Sequence, residues 1–304
     1  MRHLPLLLAS VLTAGVTLAP ATSTATSTAT GTAQAGSAAS ASAAESSAAA
    51  QRGAARVNVK GGFNLATFNV LGNGHTQAGG NRSSFASGAD RMRLTVRAFR
   101  TRNVDVVALQ ELEVEQWRAF GKLTDGRYRV WADEKDIANA VAWRKQKFEF
   151  VRARTIGVPY FDGKIKQMPV VLLRQRATGQ KMAFTSFHNP VTSKKRPGND
   201  KWRKQAIARE ITLAKNLRKR GTPTFLSGDF NERSERWHCH VARATNMVTA
   251  GNGDRRGGSC RPLDRMRIDW IFGSNGVLFS RYVAAETRRT RRASDHPLIV
   301  VRVR

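Results

Sequence analysis

The stretch FLSGDFNE, residues 225–232, begins as a buried strand and ends on polar chemistry. Phe225 and Leu226 continue an apolar run out of Thr222-Pro223-Thr224, and within three residues the chain sets Asp229 and Asn231 on either side of Phe230. On an extended chain a two-residue spacing returns side chains to one face, so Asp229 and Asn231 face together while Phe230 anchors the core side. Gly228 leaves room for a close approach. A carboxylate at a buried strand end is costly unless something holds it, so this pair asks for a partner.

The same signature recurs along the chain. FNLATFNVL (63–71) alternates and ends near Asn69; VDVVALQE (104–111) ends on Gln110 and Glu111; KMAFTSFHN (181–189) ends on His188. RIDWIFG (267–273) carries Asp269, and HPLIVVRV (296–303) follows Asp295 and opens on His296. One polar residue at a strand end is usually a turn former. The set is an inventory: carboxylates for a hard divalent cation, amides to hold an oxyanion, and imidazoles to move protons. Mg²⁺ prefers carboxylate oxygen and polarises phosphoryl oxygens, so the inventory fits phosphate-ester hydrolysis.

Between these strands lie others, NAVAWRK (139–145), KFEFVRAR (147–154) and MPVVLLRQRA (168–177), joined by short turns. DRMRLTVRAFRTRN (90–103) places Met92, Val96 and Phe99 at helical spacing. Residues 199–221 form the strongest helix, with Asn199 or Asp200 as cap, Trp202, Ile207, Ile211, Ala214 and Leu217 on one face, and Gly221 as stop. Strands and helices in this order predict one layered α/β domain with mixed sheets over residues 57–304.

Residues 1–21 read as a secretory signal: Arg2 and His3, then an apolar stretch too short for a membrane span, then the cleavage pattern Ala19-Pro20-Ala21. Residues 22–56 are rich in Ala, Ser and Thr and read as a disordered tether, since they bury too little to order themselves. The expectation is a secreted, extracellular protein, monomeric, with no stable membrane insertion once the signal is removed. Cys239 and Cys260 are then expected to form a disulfide worth roughly 3 kcal/mol. The net charge is +29, of which only Arg2, Arg52 and Glu45 precede residue 53. A domain that basic favours polyanionic partners, nucleic acid or an anionic lipid surface.

TFNVL, ALQELE, SFHNP, LSGDFNE, RIDWIF and SDHPLIV, in this order across residues 63–303, resemble the motifs of the deoxyribonuclease I-like endonuclease/exonuclease/phosphatase superfamily; GDFN and SDHP are the most specific. The resemblance implies an α/β four-layered sandwich of two mixed β-sheets flanked by helices, with the site at one sheet edge. It implies Glu111 as principal ligand of Mg²⁺ (or Mn²⁺), Asn69 beside it at the metal or phosphate, and Asp295 completing the metal environment. It implies Asp229 and Asn231 orienting water and phosphate, His296 as general base steered by Asp269, and His188 on the phosphate or leaving oxygen. Where some members pair that second histidine with a Glu, this chain offers Asn139. The abasic-site repair branch carries a Tyr in place of His188 and is set aside.

The fold does not settle which ester is cut. Arg288, Arg289, Arg291 and Arg292 precede the Asp295-His296 pair, and Lys194, Lys195 and Arg196 follow His188, so both runs are expected to rim the site and contact successive phosphates of a polymer. The leading expectation is a Mg²⁺-dependent phosphoric ester hydrolase, an endonuclease on DNA with little sequence preference. A phospholipid or phosphoinositide phosphodiesterase is the alternative, with GVPYFDG (157–163) as a candidate membrane hairpin; a non-catalytic polyanion-binding module is the third reading.

Overall fold

The computed structural model describes residues 57–234, 236–251 and 267–304. The expected signal and tether lie outside the described residues, as does Cys260; Cys239 is disulfide-bonded. In chain order the elements are β1 (Phe63–Asn69), α1 (Gly88–Thr101), β2 (Val106–Gln110), α2 (Val114–Thr124), β3 (Tyr128–Asp133), β4 (Asp136–Arg144), β5 (Phe148–Pro159) and β6 (Ile165–Gln175). There follow β7 (Lys181–Thr185), β8 (Phe187–His188), α3 (Asn199–Lys219), β9 (Thr224–Asp229), α4 (Trp237–Thr245) and β10 (Met247–Thr249). β11 (Asp269–Ser274), β12 (Phe279–Ala285), α5 (Arg288–Ala293) and β13 (Leu298–Val303) complete the chain.

One sheet runs β12-β13-β1-β2-β4-β3, the other β10-β11-β9-β7-β6-β5 with β8 on β9. Both are mixed: β1 is parallel to β2 and antiparallel to β13, and β9 is parallel to β7 and antiparallel to β11. The period of two on each strand builds the layers. On β1, Ala66 and Phe68 pack outward against Met92, Val96 and Phe99 of α1 and Phe120 of α2, while Phe63 and Leu65 face the second sheet and meet Phe184 and Phe225. The second sheet's outer face, with Leu226 and Phe272, is covered by Ile207, Ile211 and Leu217 of α3 and Val241 of α4. This is the expected four-layered sandwich. Each buried Phe or Leu contributes ~1.5–3 kcal/mol of transfer free energy, so three apolar layers set the frame on which the polar edge is carried. Among the described residues no helix is long and apolar enough to cross a membrane.

Several local expectations change. Neither Asn199 nor Asp200 caps α3; Gly198 stands at the cap, Asn199 Nδ2 donates to Val191 O at 2.9 Å, and Asp200 pairs with Arg203 and Lys204. The strand expected at 147–154 runs on to Pro159, because its pairing with β6 continues through Pro159↔Ile165. Elements α2, β3, α4, β10, β12 and α5 were not anticipated.

Candidate active site

The faces that look into the space between the sheets turn from apolar to polar at one end. β1 reads Phe63, Leu65, Thr67, Asn69; β2 reads Val106, Ala108, Gln110; β9 reads Phe225, Ser227, Asp229. Register then aligns the polar ends: Asn69 lies opposite Gln110, and Asp229 lies between His188 and Asp269 on its two neighbours. Gly228 permits this, for a Cβ there would stand 2.1 Å from Phe187 O on β8.

Asn69 is the hub. Its Nδ2 donates to Glu111 Oε1 at 2.8 Å and to Asp229 Oδ2 at 3.3 Å, and lies 3.5 Å from His296 Nε2. Its Oδ1 accepts from Leu71 N at 3.0 Å, which turns the amide nitrogen toward the carboxylates. Asn69 is therefore a donor in this arrangement, which suits the phosphate rather than the metal side of its expected role.

Glu111 stands one residue beyond β2 with φ +57°, a left-handed conformation that costs a bulky residue about 1 kcal/mol or more. The bend lets Oε2 accept from Gly72 N at 2.9 Å while Oε1 faces Asn69. Burial alone would raise its pKa, but His188, Asn69, Gly72 and His75 together hold it below the ordinary carboxylate value. Asp229 goes the other way, raised chiefly by burial, with Asp269 adding to the effect against the two histidines. Its Oδ1 accepts from Asn231 N at 2.9 Å, and Asn231 Nδ2 donates to Asn189 O at 2.9 Å, tying β9 to the loop after His188. Phe230 points into the core, 1% exposed.

His296 Nδ1 sits 2.9 Å from Asp269 Oδ2 and 3.2 Å from Oδ1, leaving Nε2 directed at Asp229 Oδ2, 3.8 Å away. Burial would lower its pKa, yet Asp269, then Asp229 and Asp295, push it up to about 10. His188 Nε2 lies 3.6 Å from Asp229 Oδ2 and 3.8 Å from Glu111 Oε1; here burial wins and its pKa is lowered.

Glu111, His188, Asp229 and His296 line one cavity of about 420 Å³ with His75, Tyr160, Phe161, Asn231 and Asp295, while Asn69 and Asp269 stand behind them. Its oxygen-rich donor set suits a hard divalent cation, since Glu111 stays ionised and Asp229 is a buried carboxylate lacking enough positive charge. Asp229, Asp269 and His296 each bring a ligand atom within 4.8 Å of the others, but the bond to Asp269 occupies His296 Nδ1, which makes those two an orienting pair rather than ligands. Asp295, expected at the metal, turns to the rim and pairs with Arg82 Nε at 2.9 Å.

Neither basic run lines the cavity as expected. Its cations are Arg82, Lys166 and Arg233. Arg288, Arg289, Arg291 and Arg292 are drawn onto α5, whose Ala293 packs into the helical layer. Lys194 and Lys195 are absent from the lining, and Arg196 is one layer out, bonded to Asp162 and 4.8 Å over the Phe161 ring. A second cavity of about 1100 Å³, with Trp117, Trp131 and Ile165, shares the walls Tyr160 and Lys166.

Sequence reading missed Arg91, which α1 buries to 1% exposure. Its five N–H groups serve five carbonyls: Nε to Ala86 at 2.9 Å, Nη1 to Val70 at 2.6 Å and Ala293 at 3.0 Å, and Nη2 to Leu71 at 2.6 Å and Gly72 at 3.4 Å. It thus clamps the loop after Asn69 to the loop before His296. An arginine at i−1 to Met92 on an otherwise apolar stripe was the only available sign.

The fold has counterparts among solved structures. The human nocturnin catalytic domain, solved with a bound sulfate anion, superposes with TM-score 0.62 at 17% identity, covering 84% of this chain and 98% of its own. D. rerio TDP2 with single-stranded DNA product gives 0.57 at 17%, covering 81% and 100%. A mannosyl-6-phosphatase of Bacteroides thetaiotaomicron gives 0.56 at 19%, covering 80% and 98%. No curated protein matches the sequence. A sequence model of the Endonuclease/Exonuclease/phosphatase family matches residues 66–296, from β1 to His296. This match spans more than half of the chain, which therefore belongs to the endonuclease/exonuclease/phosphatase family of phosphoric ester hydrolases.

Proposed function

We propose that the protein is a secreted, divalent-cation-dependent nuclease that hydrolyses phosphodiester bonds of DNA with little sequence preference. The observation that carries this reading is the convergence of Glu111, Asp229 and the Asp269–His296 pair on one cavity rimmed by Arg82, Lys166 and Arg233. Rim cations hold a phosphate backbone without reading bases, and the aromatic second cavity next door, with Trp117 and Trp131, offers faces on which any base can stack. The likeness to TDP2, solved with single-stranded DNA product, points the same way.

Mg²⁺, or Mn²⁺ in its place, held by Glu111 and Asp229, would polarise a phosphoryl oxygen and stabilise charge on the leaving oxygen. The rest is done by the chain. Asp229, fixed by Asn231 N–H, orients the attacking water. His296 Nε2 takes the water's proton as its oxygen bonds to phosphorus, and Asp269 holds the ring in place. The bond from phosphorus to the leaving sugar oxygen breaks as that oxygen takes a proton from water or from the imidazolium that His296 has become, with the Asn69 amide and the His188 imidazole hydrogen bonding the phosphate. His296 must be neutral to do this, and a divalent cation held by Glu111 and Asp229 would oppose the proton it otherwise keeps.

The lipid reading is disfavoured by the hairpin at 157–163, whose Tyr160 and Phe161 turn into the catalytic cavity instead of outward. The silent binding module is disfavoured by the complete set of groups. Export, cleavage after residue 21, a tether to residue 56 and a monomeric catalytic domain rest on the sequence features of residues 1–56 and on composition.

The test is incubation of the purified chain with plasmid DNA, RNA, sphingomyelin and p-nitrophenyl phosphate esters, with Mg²⁺ or EDTA, beside His296→Ala. Expected is Mg²⁺-dependent nicking of plasmid that falls at least ~100-fold in the variant. Intact DNA beside a cleaved lipid or monoester overturns the nuclease reading, and full activity of His296→Ala overturns the assignment of the base.

A further inference from the structure

The arginines displaced from the catalytic cavity gather elsewhere. On α1, Arg93 and Arg97 stand four residues apart and exposed, on one face. Across from them α5 presents Arg291 and Arg292, and the four side chains line a cleft of about 530 Å³ floored by Phe85 and Leu94. The helices are held together by apolar packing of Met92, Val96 and Ala293 beneath. Like charges at a four-residue spacing repel, and neutralisation is sparse. Arg93 lies 3.7 Å from Asp90 and Arg291 3.3 Å from Glu286, while Arg97 and Arg292 have no acidic partner among the described residues.

The cleft adjoins the catalytic cavity through two segments. Arg82 stands on the cavity rim, and Ser84 and Phe85 just after it line the cleft; Arg292 lines the cleft, and Asp295, three residues on and bonded to Arg82, stands on the rim. We propose that this cleft is an exosite for the phosphodiester backbone of nucleic acid, engaging phosphates beyond the one being cleaved. The proposal rests on the nuclease reading above and adds where a long substrate is held. An anionic membrane is the poorer occupant: the exposed large apolar residues among those described are Val114, Ile165 and Leu278, none of them in this cleft, so nothing there would enter a bilayer.

The test compares the wild-type chain with Arg93→Gln/Arg97→Gln and with Lys215→Gln/Lys219→Gln, which removes the same charge from exposed positions on α3. Binding of a fluorescent 30-base-pair duplex is measured in EDTA across a salt series, binding to phosphatidylserine vesicles in parallel, and turnover of bis(p-nitrophenyl) phosphate with Mg²⁺. For the arginine variant the expected result is about tenfold weaker duplex binding and a log–log salt slope shallower by about 2, from ~0.9 per neutralised phosphate. Ester turnover and the lysine control stay at wild-type values. Equal loss in both variants, or none in either, overturns the exosite. Arginine-dependent binding to vesicles but not duplex overturns its occupant, and binding to neither overturns the site. Arginine-dependent duplex binding without cleavage by the wild type upholds the exosite and overturns the nuclease reading.

Discussion

Glu210→Gln should stabilise this protein, increasingly so as pH rises. Glu210 lies on the inward face of α3, 2% exposed. Asn189 Nδ2 donates to its Oε2 at 3.4 Å, while Glu210 Oε1 and Asn189 Oδ1 are both buried without a partner. A proton on the carboxyl supplies the donor this pair of acceptors lacks. Burial accordingly pushes the pKa up to about 8 from 4.5, the Asn189 bond offsetting a little. The sign follows: a raised folded pKa gives a contribution complete below about 4.5 and lost as pH climbs to about 8. Each unit is worth ~1.4 kcal/mol. Gln carries no charge and still both donates to and accepts from Asn189, so it escapes this loss. Measured by urea denaturation, the stability of the variant minus that of the wild type should grow by ~3 kcal/mol from pH 5 to pH 7 and by ~4 kcal/mol by pH 9. Other titrating groups cancel in the difference. A difference flat across pH, or a variant less stable at pH 9, refutes the reasoning.

Two further outcomes are expected. In the protein without divalent cation, nuclear magnetic resonance should find His296 titrating near 10, where its stabilising contribution, complete below about 6.5, is lost. Asp269→Asn or added Mg²⁺ should each lower that value, and a titration unmoved by either breaks the link between the pair and the carboxylates. Arg91→Lys should cost about 3 kcal/mol, read as a fall in thermal midpoint, because three ammonium donors cannot serve five buried carbonyls. An unchanged midpoint would mean the clamp contributes nothing.

The candidate site edge was legible because its residues obey strand periodicity: Asn69, His188, Asp229 and Asp269 each end or open an apolar run, and pairing register brings them together. What stayed hidden was charge turned inward from helices. Arg91, Arg203 and Glu210 sit in sequences dense with exposed charge, and only the tertiary carbonyls and carboxylates they meet distinguish them from surface residues. Helix α2 did carry a signal: Gln116 returns its side chain to Glu113 N at 3.3 Å, a capping-box pattern ahead of Trp117 and Phe120. The basic runs were legible as charge but not as place, since nothing in Arg288–Arg292 reveals that Ala293 and Thr290 would draw the segment into a helix against α1. For Asn69 the residue was readable and its orientation was not, because that depends on one backbone donor, Leu71 N.

The two histidines show how one site holds two imidazoles in opposite states. Both direct Nε2 at Asp229 Oδ2, at 3.6 Å for His188 and 3.8 Å for His296, so the shared carboxylate cannot separate them. The difference is on the other ring nitrogen. His296 Nδ1 has Asp269 at 2.9 Å, and its pKa rises despite burial. Asn139, expected near the place where some members offer this histidine a Glu, is a buried amide with neither its Nδ2 nor its Oδ1 paired, and His188 yields to burial. Groups pushed apart in this way mark a division of labour. A neutral His188 with no carboxylate on its Nδ1 among the described residues is a poor proton donor at neutral pH but a competent hydrogen-bonding partner for phosphate. The proton for the leaving oxygen then has to come from water or from the imidazolium that His296 becomes. The proposed chemistry therefore rests on one acid–base histidine, His296, and what sets it apart from His188 is the Asp269 carboxylate on its Nδ1.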